Sequence, residues 1–347
     1  MDYGNIDEQL ARLHPDIKQV AERFVLLKIA DMRGLDLGLF DFDYDLSWAA
    51  LMFEPGGNVL GRFGGGDAGS PEKYHSLKGL RYSLEQAWAE FDRAAPAKPK
   101  SIRSGKKVED YDGAQRFSSK ACFHCHNVHE FRREERITAG IWTKELEWVY
   151  PEPANLGLTL EADQGNKVRV VRPGSFAATA GIEAGDVLRR VDGRSIASIA
   201  DLQYALHQAP ESARITIAWQ RGMKNLEANI HLPAGWRQSD ISWRWSLKSL
   251  KPMPQVQGED LSAAERTALD LTERSLAFRQ GGFVPLAAQQ AGIRIGDVIV
   301  GVDGKQLDMT ARQFETFMRL HYQVGDVVNY DVLRGGLRIR VAVKLPG

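Results

Sequence analysis

The sequence predicts a multi-domain chain of the α+β class. Three observations carry this: a length of 347 residues, more than one core requires at about 100 to 200 residues per domain; a helix, strand, hairpin, helix order in the first quarter; and an internal repeat in the C-terminal half. With 43% hydrophobic and 26% charged residues the composition is that of an ordinary globular protein, and no stretch approaches the roughly 18 apolar residues of a membrane span. Lys+Arg 45 balance Asp+Glu 45, so no net field exists to hold a polyanion, which argues against nucleic acid as a partner. Met1-Asp2-Tyr3-Gly4 shows neither the basic nor the apolar region of a signal peptide.

The elements follow in order. Leu10, Leu13, Ile17, Val20 and Phe24 fall at three-and-four spacing, predicting an amphipathic helix over 7–24. The apolar run 24–29 predicts a buried strand, and 47–53 a second one. Pro55-Gly56-Gly57 turns the chain back into 58–63 as a hairpin. After Gly64-Gly65-Gly66, Ser70-Pro71 opens a helix to about Ala94. Residues 96–120, rich in Lys and Arg with Pro96 and Pro99, read as a solvated linker. A helical segment starts near Ala121 and stops at Pro151 and Pro153.

The repeat pairs AGIEAGDVLRRVDG at 180–193 with AGIRIGDVIVGVDG at 291–304, nine of fourteen positions being identical. In each copy a short helix stops at a glycine (Gly181, Gly292), a Gly-Asp turn launches a strand, and Asp-Gly turns out of it. A helix and a strand pair around Arg221-Gly222 or Arg334-Gly335 follow. The expected division is 1–96, 97–152 (linker and Cys-containing segment), 153–234 (first module), 235–262 (Trp/Pro-rich connection) and 263–347 (second module).

Both modules resemble bacterial PDZ domains of the kind found in periplasmic high-temperature-requirement proteases. The resemblance implies that a loop ahead of the groove strand offers backbone N–H groups to a C-terminal carboxylate while the peptide extends the sheet. The matching positions are Asn155, Leu156, Gly157 and Leu158 in the first module and Ser275, Leu276, Ala277 and Phe278 in the second. Protein C-termini or extended peptides are thus the expected partners. No Gly-x-Ser-x-Gly elbow accompanies them, and the N-terminal 150 residues are too short for a chymotrypsin-like double barrel.

The two cysteines of the chain lie in Cys122-Phe123-His124-Cys125-His126. C-x-x-C-H is the pattern of covalent haem c attachment, two thiols on the vinyl groups and Cys-adjacent His126 on the iron. A helix here places Cys122, His126 and His129 on one face, so Cys122, Cys125, His126 and His129 form an alternative Zn or Cu ligand set. A dithiol couple, with the thiolate favoured beside His124 and His126, is a third reading. A plain local disulfide with no cofactor is the fourth.

The N-terminal part resembles the second half of a thioredoxin fold. The whole order, with Leu39-Phe-Asp-Phe-Asp-Tyr-Asp-Leu46 and Asp240-Ile-Ser-Trp243, resembles bacterial thioredoxin-like/PDZ domain-containing (seleno)proteins. That resemblance implies a Cys-x-x-Cys or Cys-x-x-selenocysteine motif just upstream of Met1, with an in-frame UGA read as a stop. It also implies a periplasmic or cell-envelope location and a redox-associated function with an unidentified redox partner. This chain itself carries no catalytic residue of such a centre. The expectation from the other class is a non-enzymatic PDZ adaptor with a structural or sensory Zn/Cu site. Asp41, Asp43 and Asp45 imitate a calcium loop but have Leu46 and Met52 at its sixth and twelfth positions, so they read as solvated or capping groups. Gly61 to Gly66 reads as a glycine turn. Trp236, Trp243 and Trp245 read as packing between modules.

Overall fold

The computed structural model describes residues 14–93, 105–118 and 121–347. It divides into two compact units, Met1–Ser239 and Asp240–Gly347.

Among the described residues the first unit opens with α1 (Pro15–Ala21), which stops three residues before the predicted end at Phe24; the predicted positions 7–13 lie outside the described residues. Strands β1 (Ala50–Phe53) and β2 (Val59–Phe63) form the expected antiparallel hairpin, with Met52 opposite Gly61. Helix α2 (Leu77–Arg93) follows. Ile17, Val20, Met52, Phe63, Leu80, Leu84 and Ala87 make its core.

The run 24–29 is not a strand. Val25 and Leu27 are 90% and 84% exposed. The sheet beside it contains β1 and β2 alone. An apolar run becomes a strand only where a neighbour pairs its backbone, and among the described residues none does. The described part therefore shows a two-stranded hairpin flanked by helices where the thioredoxin-like reading expected a three-stranded sheet.

The linker reading is also corrected for 105–118. This stretch forms two 3-10 turns, Val108–Asp110 and Asp112–Arg116. Val108, Tyr111 and Ala114 enter a small core with Met32, Leu37, Tyr44, Phe123, Val128 and Phe131. The last two come from α3 (Cys125–Thr138). Lys/Arg-rich composition hid three apolar residues at the helical spacing that a buried face requires.

The first module continues the same unit: β3 (Leu158–Leu160), β4 (Val168–Val171), α4 (Phe176–Thr179), β5 (Val187–Val191), β6 (Arg194–Ser195), α5 (Ile199–His207), β7 (Ala213–Arg221) and β8 (Lys224–Leu232). β3 and β4 pair as one sheet, and the other runs β6-β5-β7-β8. Leu156, Leu188, Leu202, Leu206, Ile215 and Ile217 fill the space between them. Trp236 packs into this core.

The second unit carries β9 (Gly258–Asp260), α6 (Ala263–Ala268), β10 (Phe278–Gln280), α7 (Leu286–Ala291), β11 (Val298–Val302), α8 (Ala311–His321), β12 (Val327–Arg334) and β13 (Leu337–Lys344). Its strands form one sheet in the order β13-β12-β11-β10-β9. The repeat is visible down to irregularities. A bulge falls between Leu188 and Arg190 on β5 and between Ile299 and Gly301 on β11. Asp192 and Asp303 both adopt a left-handed backbone, φ 46° and 51°, and each carboxylate accepts from the strand that follows, from Thr216 N–H at 2.8 Å and Asn329 N–H at 2.9 Å. Aspartate tolerates that conformation through such local bonding.

Candidate functional site

In the first module Pro153–Leu156 is a single 3-10 turn. Its geometry uses up part of the expected carboxylate loop: Asn155 N–H donates to Glu152 O and Gly157 N–H to Ala154 O, both at 2.9 Å. The Asn155 side chain donates to Trp236 O at 2.9 Å and Gln238 O at 3.1 Å, tying the turn to the chain beyond β8. Gly157 sits at φ 85°, and a Cβ there would collide with the side chain of Ser175. Leu156 is part of the core, and Leu158 opens β3.

β3 pairs with β4 on one side only, Thr159 lying opposite Val170. Alternation along an antiparallel strand turns the N–H and C=O of Leu158 and Leu160 to the unpaired side. That edge therefore offers an added strand both donors and acceptors. Helix α5 touches the Pro153–Leu156 turn, which brings it beside the start of β3. It is capped by Ser198, whose Oγ accepts from Asp201 N–H at 3.0 Å while Asp201 accepts from Ser198 N–H at 3.1 Å.

The N-terminal segment lies on α5. Asp201 Oδ1 accepts from Arg62 N–H at 2.8 Å, and Ser198 Oγ donates to Arg62 O. The Arg62 guanidinium stands 3.4 Å from the centre of the Tyr204 ring. Gln203 Nε2 donates to Gly66 O at 3.2 Å. A Cβ on Gly65, at φ 113°, would come 3.3 Å from Ile199 Cγ2, so only glycine lets the backbone approach this closely. Further along, the Tyr150 ring stacks on His207 at 4.2 Å and its hydroxyl donates to Asp41 at 2.9 Å. The helix is thus covered along its length. Burial drives the Asp201 carboxyl up to about 6, against the pull of the Ala197 and Arg62 amides.

In the second unit Ser275, Leu276, Ala277 and Phe278 do not form a groove loop. They lead into β10, which is paired with β9 on one side and β11 on the other. A strand paired on both sides has no edge to offer. On that side of the sheet the free edge belongs to β9, beside α8, where Ala311 N–H donates to Asp260 Oδ1 at 2.9 Å. The sequence reading misplaced it because the connection from β9 to β10 holds an extra helix, α6, whereas that from β3 to β4 is a short loop.

Both modules share a latch that sequence reasoning missed. Arg221 donates through Nε and Nη2 to Asp186, both at 2.8 Å, and through Nη2 to Gly181 O at 2.6 Å. Arg334 repeats this on Asp297 at 2.7 Å and Gly292 O at 2.7 Å. The recurrence of Gly-Asp and of Arg-Gly in both copies was the signal available.

The C-x-x-C-H segment does not assemble the expected ligand set. α3 begins only at Cys125, with His124 as its N-cap, so Cys122 lies outside the helix and off the face that carries His126 and His129. Cys122 is exposed and Cys125 partly buried, both as free thiols. Burial pushes the Cys125 thiol up, the opposite of an activated thiolate. His126 Nδ1 meets Glu130 Oε1 at 2.9 Å. His129 turns instead to Asp43 and Asp45. Among the described residues those three alone bring three donor atoms within 4.8 Å of one another.

Comparison with known proteins decides the first module. Residues 167–221 match the family model described as PDZ domain. The chain contains a PDZ domain. Its relatives include the periplasmic pH-dependent serine endoprotease DegQ of Escherichia coli, 27% identical over 153 residues, or 44% of this chain and 31% of that protein. A probable periplasmic serine protease do/HhoA-like of Haemophilus influenzae is 26% identical over 52% of this chain and 35% of its own length. The periplasmic serine endoprotease DegP of E. coli is 28% identical over 50% and 33%. The chain therefore spans about a third of the length of these curated relatives. A solved HtrA-type protease with tripeptide aligns over 34% of this chain and 39% of its own, with 17% identity and a TM-score of 0.25.

These relatives overturn the functional expectation. The curated relatives are named as periplasmic serine proteases or endoproteases, so the redox-associated function, with its thioredoxin-like, selenoprotein and haem elements, is withdrawn. The non-enzymatic adaptor with a Zn/Cu site fits them no better and is withdrawn too. What stands is a mixed α+β chain with a PDZ domain. No described helix is long and apolar enough to cross a membrane.

Proposed function

We propose that this chain recognises extended peptide segments, free C-termini included, in the substrate-recognition step of proteolysis in the bacterial periplasm. The observation that carries the reading is the unpaired edge of β3 in a PDZ domain akin to those of periplasmic serine endoproteases. The peptide adds as a strand, its backbone meeting the N–H and C=O groups of Leu158 and Leu160. Two of the loop amides are already donated within the turn, so capture of a terminal carboxylate requires the Pro153–Leu156 turn to open. The coverage of α5 by 62–66 adds a second cost, because a side chain seeking the helix must displace Arg62 or Gly65. Such a groove selects ligands that outcompete an internal contact.

The test is fluorescence anisotropy of a labelled, unstructured peptide with an apolar C-terminus, and of its C-terminally amidated twin, against the full chain. Saturable binding, weaker for the amidated form, together with slowed hydrogen exchange at Leu158 and Leu160, is the expected result. Binding that leaves β3 exchange unchanged overturns the reading.

A further inference from the structure

We propose that Asp43, Asp45 and His129 hold a divalent transition-metal cation, with Zn2+ the first choice. The alternating Phe-Asp-Phe-Asp-Tyr-Asp run folds into a turn in which Asp45 N–H donates to Asp43 Oδ1 at 3.2 Å and Leu46 N–H to Asp43 O at 3.2 Å. That turn puts two carboxylates on one side. Helix α3 brings His129 to the same place one turn after Cys125, and the ring is held edge-on between Tyr44 at 5.3 Å and Tyr150 at 6.4 Å.

The decisive observation is the imidazole. His129 Nε2 is buried without a hydrogen-bond partner, on a side chain 10% exposed. It aims at Asp43 Oδ1 at 3.5 Å and Asp45 Oδ2 at 4.0 Å. A hydrogen bond would draw these atoms to about 2.7–3.2 Å. Donors on a tetrahedral ion with bonds of about 2.0–2.2 Å stand roughly 3.3–3.6 Å apart, and the observed spacing needs only a small contraction to reach that. One imidazole and two carboxylates suit Zn2+ or Mn2+ better than the all-oxygen shell of Ca2+ or the thiolates of Cu(I). The remaining position is left for water. The ion would brace the 41–46 loop against α3, using neither cysteine. Asp43 also lines a small cavity with Ala200 and Gln203 of α5, so the brace lies beside the segment that covers the helix.

The full chain, stripped with a chelator and dialysed against Zn2+, is assayed by elemental analysis and thermal melting. One equivalent per chain is expected, with Tm rising with zinc concentration. Cys122→Ser with Cys125→Ser retains the equivalent, whereas Asp45→Asn and His129→Gln lose it. Should those variants misfold, Co2+ loaded into the wild type gives a second reading: d–d absorption without a thiolate-to-cobalt charge-transfer band supports the site. A folded wild type that binds no zinc, an equivalent lost on removing the cysteines, or a thiolate band overturns the proposal; in the first case His129 and Asp43 are simply an ion pair.

Discussion

Asp186 and Asp297 are buried carboxylates that survive because an arginine from the next hairpin closes over each. Burial raises the Asp186 carboxyl, but the Arg221 guanidinium and the Glu183 amide outweigh it and leave it below its ordinary value. Arg221→Met strands that charge. With Arg221 about a third exposed, the loss of stability is expected to be smaller than for a fully buried pair; chemical denaturation of the full chain measures it. A lowered carboxyl stabilises the fold above its unfolded value and loses that contribution as pH falls, so the variant flattens the acid limb of the stability curve. Asp201 has the opposite sign. The folded chain keeps its proton to about 6, while the unfolded chain releases it near about 3.9. Between those values the folded state binds more protons, and stability falls as pH rises. Wild type should therefore lose Tm relative to Asp201→Asn from pH 4 to pH 7. At this scale the sequence was informative where a residue recurs: the Gly-Asp and Asp-Gly turns were legible twice over. The Arg partner recurs as well, in Arg221-Gly222 and Arg334-Gly335, but nothing local says that it folds back 35 residues onto the aspartate.

Under the proposed function, helix α5 is the element on which peptide access turns. That a helix follows the Asp-Gly turn was legible in the sequence, and its coverage was not, because contacts across 136 to 139 positions leave no periodic trace. Arg62→Ala removes the guanidinium from Tyr204 yet keeps the backbone bonds. It is expected to tighten peptide binding several-fold without changing the fold, as a conformational cost is reduced; anisotropy titration reads the change, and unchanged affinity would show that the cover does not gate the groove. Gly157→Trp, an obvious groove-blocking substitution, is unsuitable as a test, because its Cβ meets Ser175 before any peptide is involved. The run 24–29 shows the complementary limit. Apolar periodicity announced a strand, but strands are made by partners. For β10 the error was one of order. Residues 275–278 were assigned to the loop ahead of the groove strand, whereas they lead into β10, which is paired on both sides.

As a whole, the molecule is two compact units with separate cores, with one copy of the repeat in each. The second core, with Phe278, Phe314, Met318, Tyr330 and Val343 buried, draws on its own segment. Asp240–Gly347 expressed alone is therefore expected to unfold in one cooperative transition seen by circular dichroism; a gradual, non-cooperative melt would contradict that independence. What the sequence could not disclose is how the N-terminal part of the first unit is used. Its thiols suggested a reactive centre, whereas in the folded chain that part covers helix α5 and brings His129 to two aspartates. The most direct measurement of peptide recognition is residue-resolved amide exchange of the full chain, with and without a saturating free-carboxylate peptide. Slowed exchange at Leu158 and Leu160, with faster exchange at Arg62 as its bond to Asp201 is released, is the predicted result. Unchanged exchange at all three positions under saturation would contradict it.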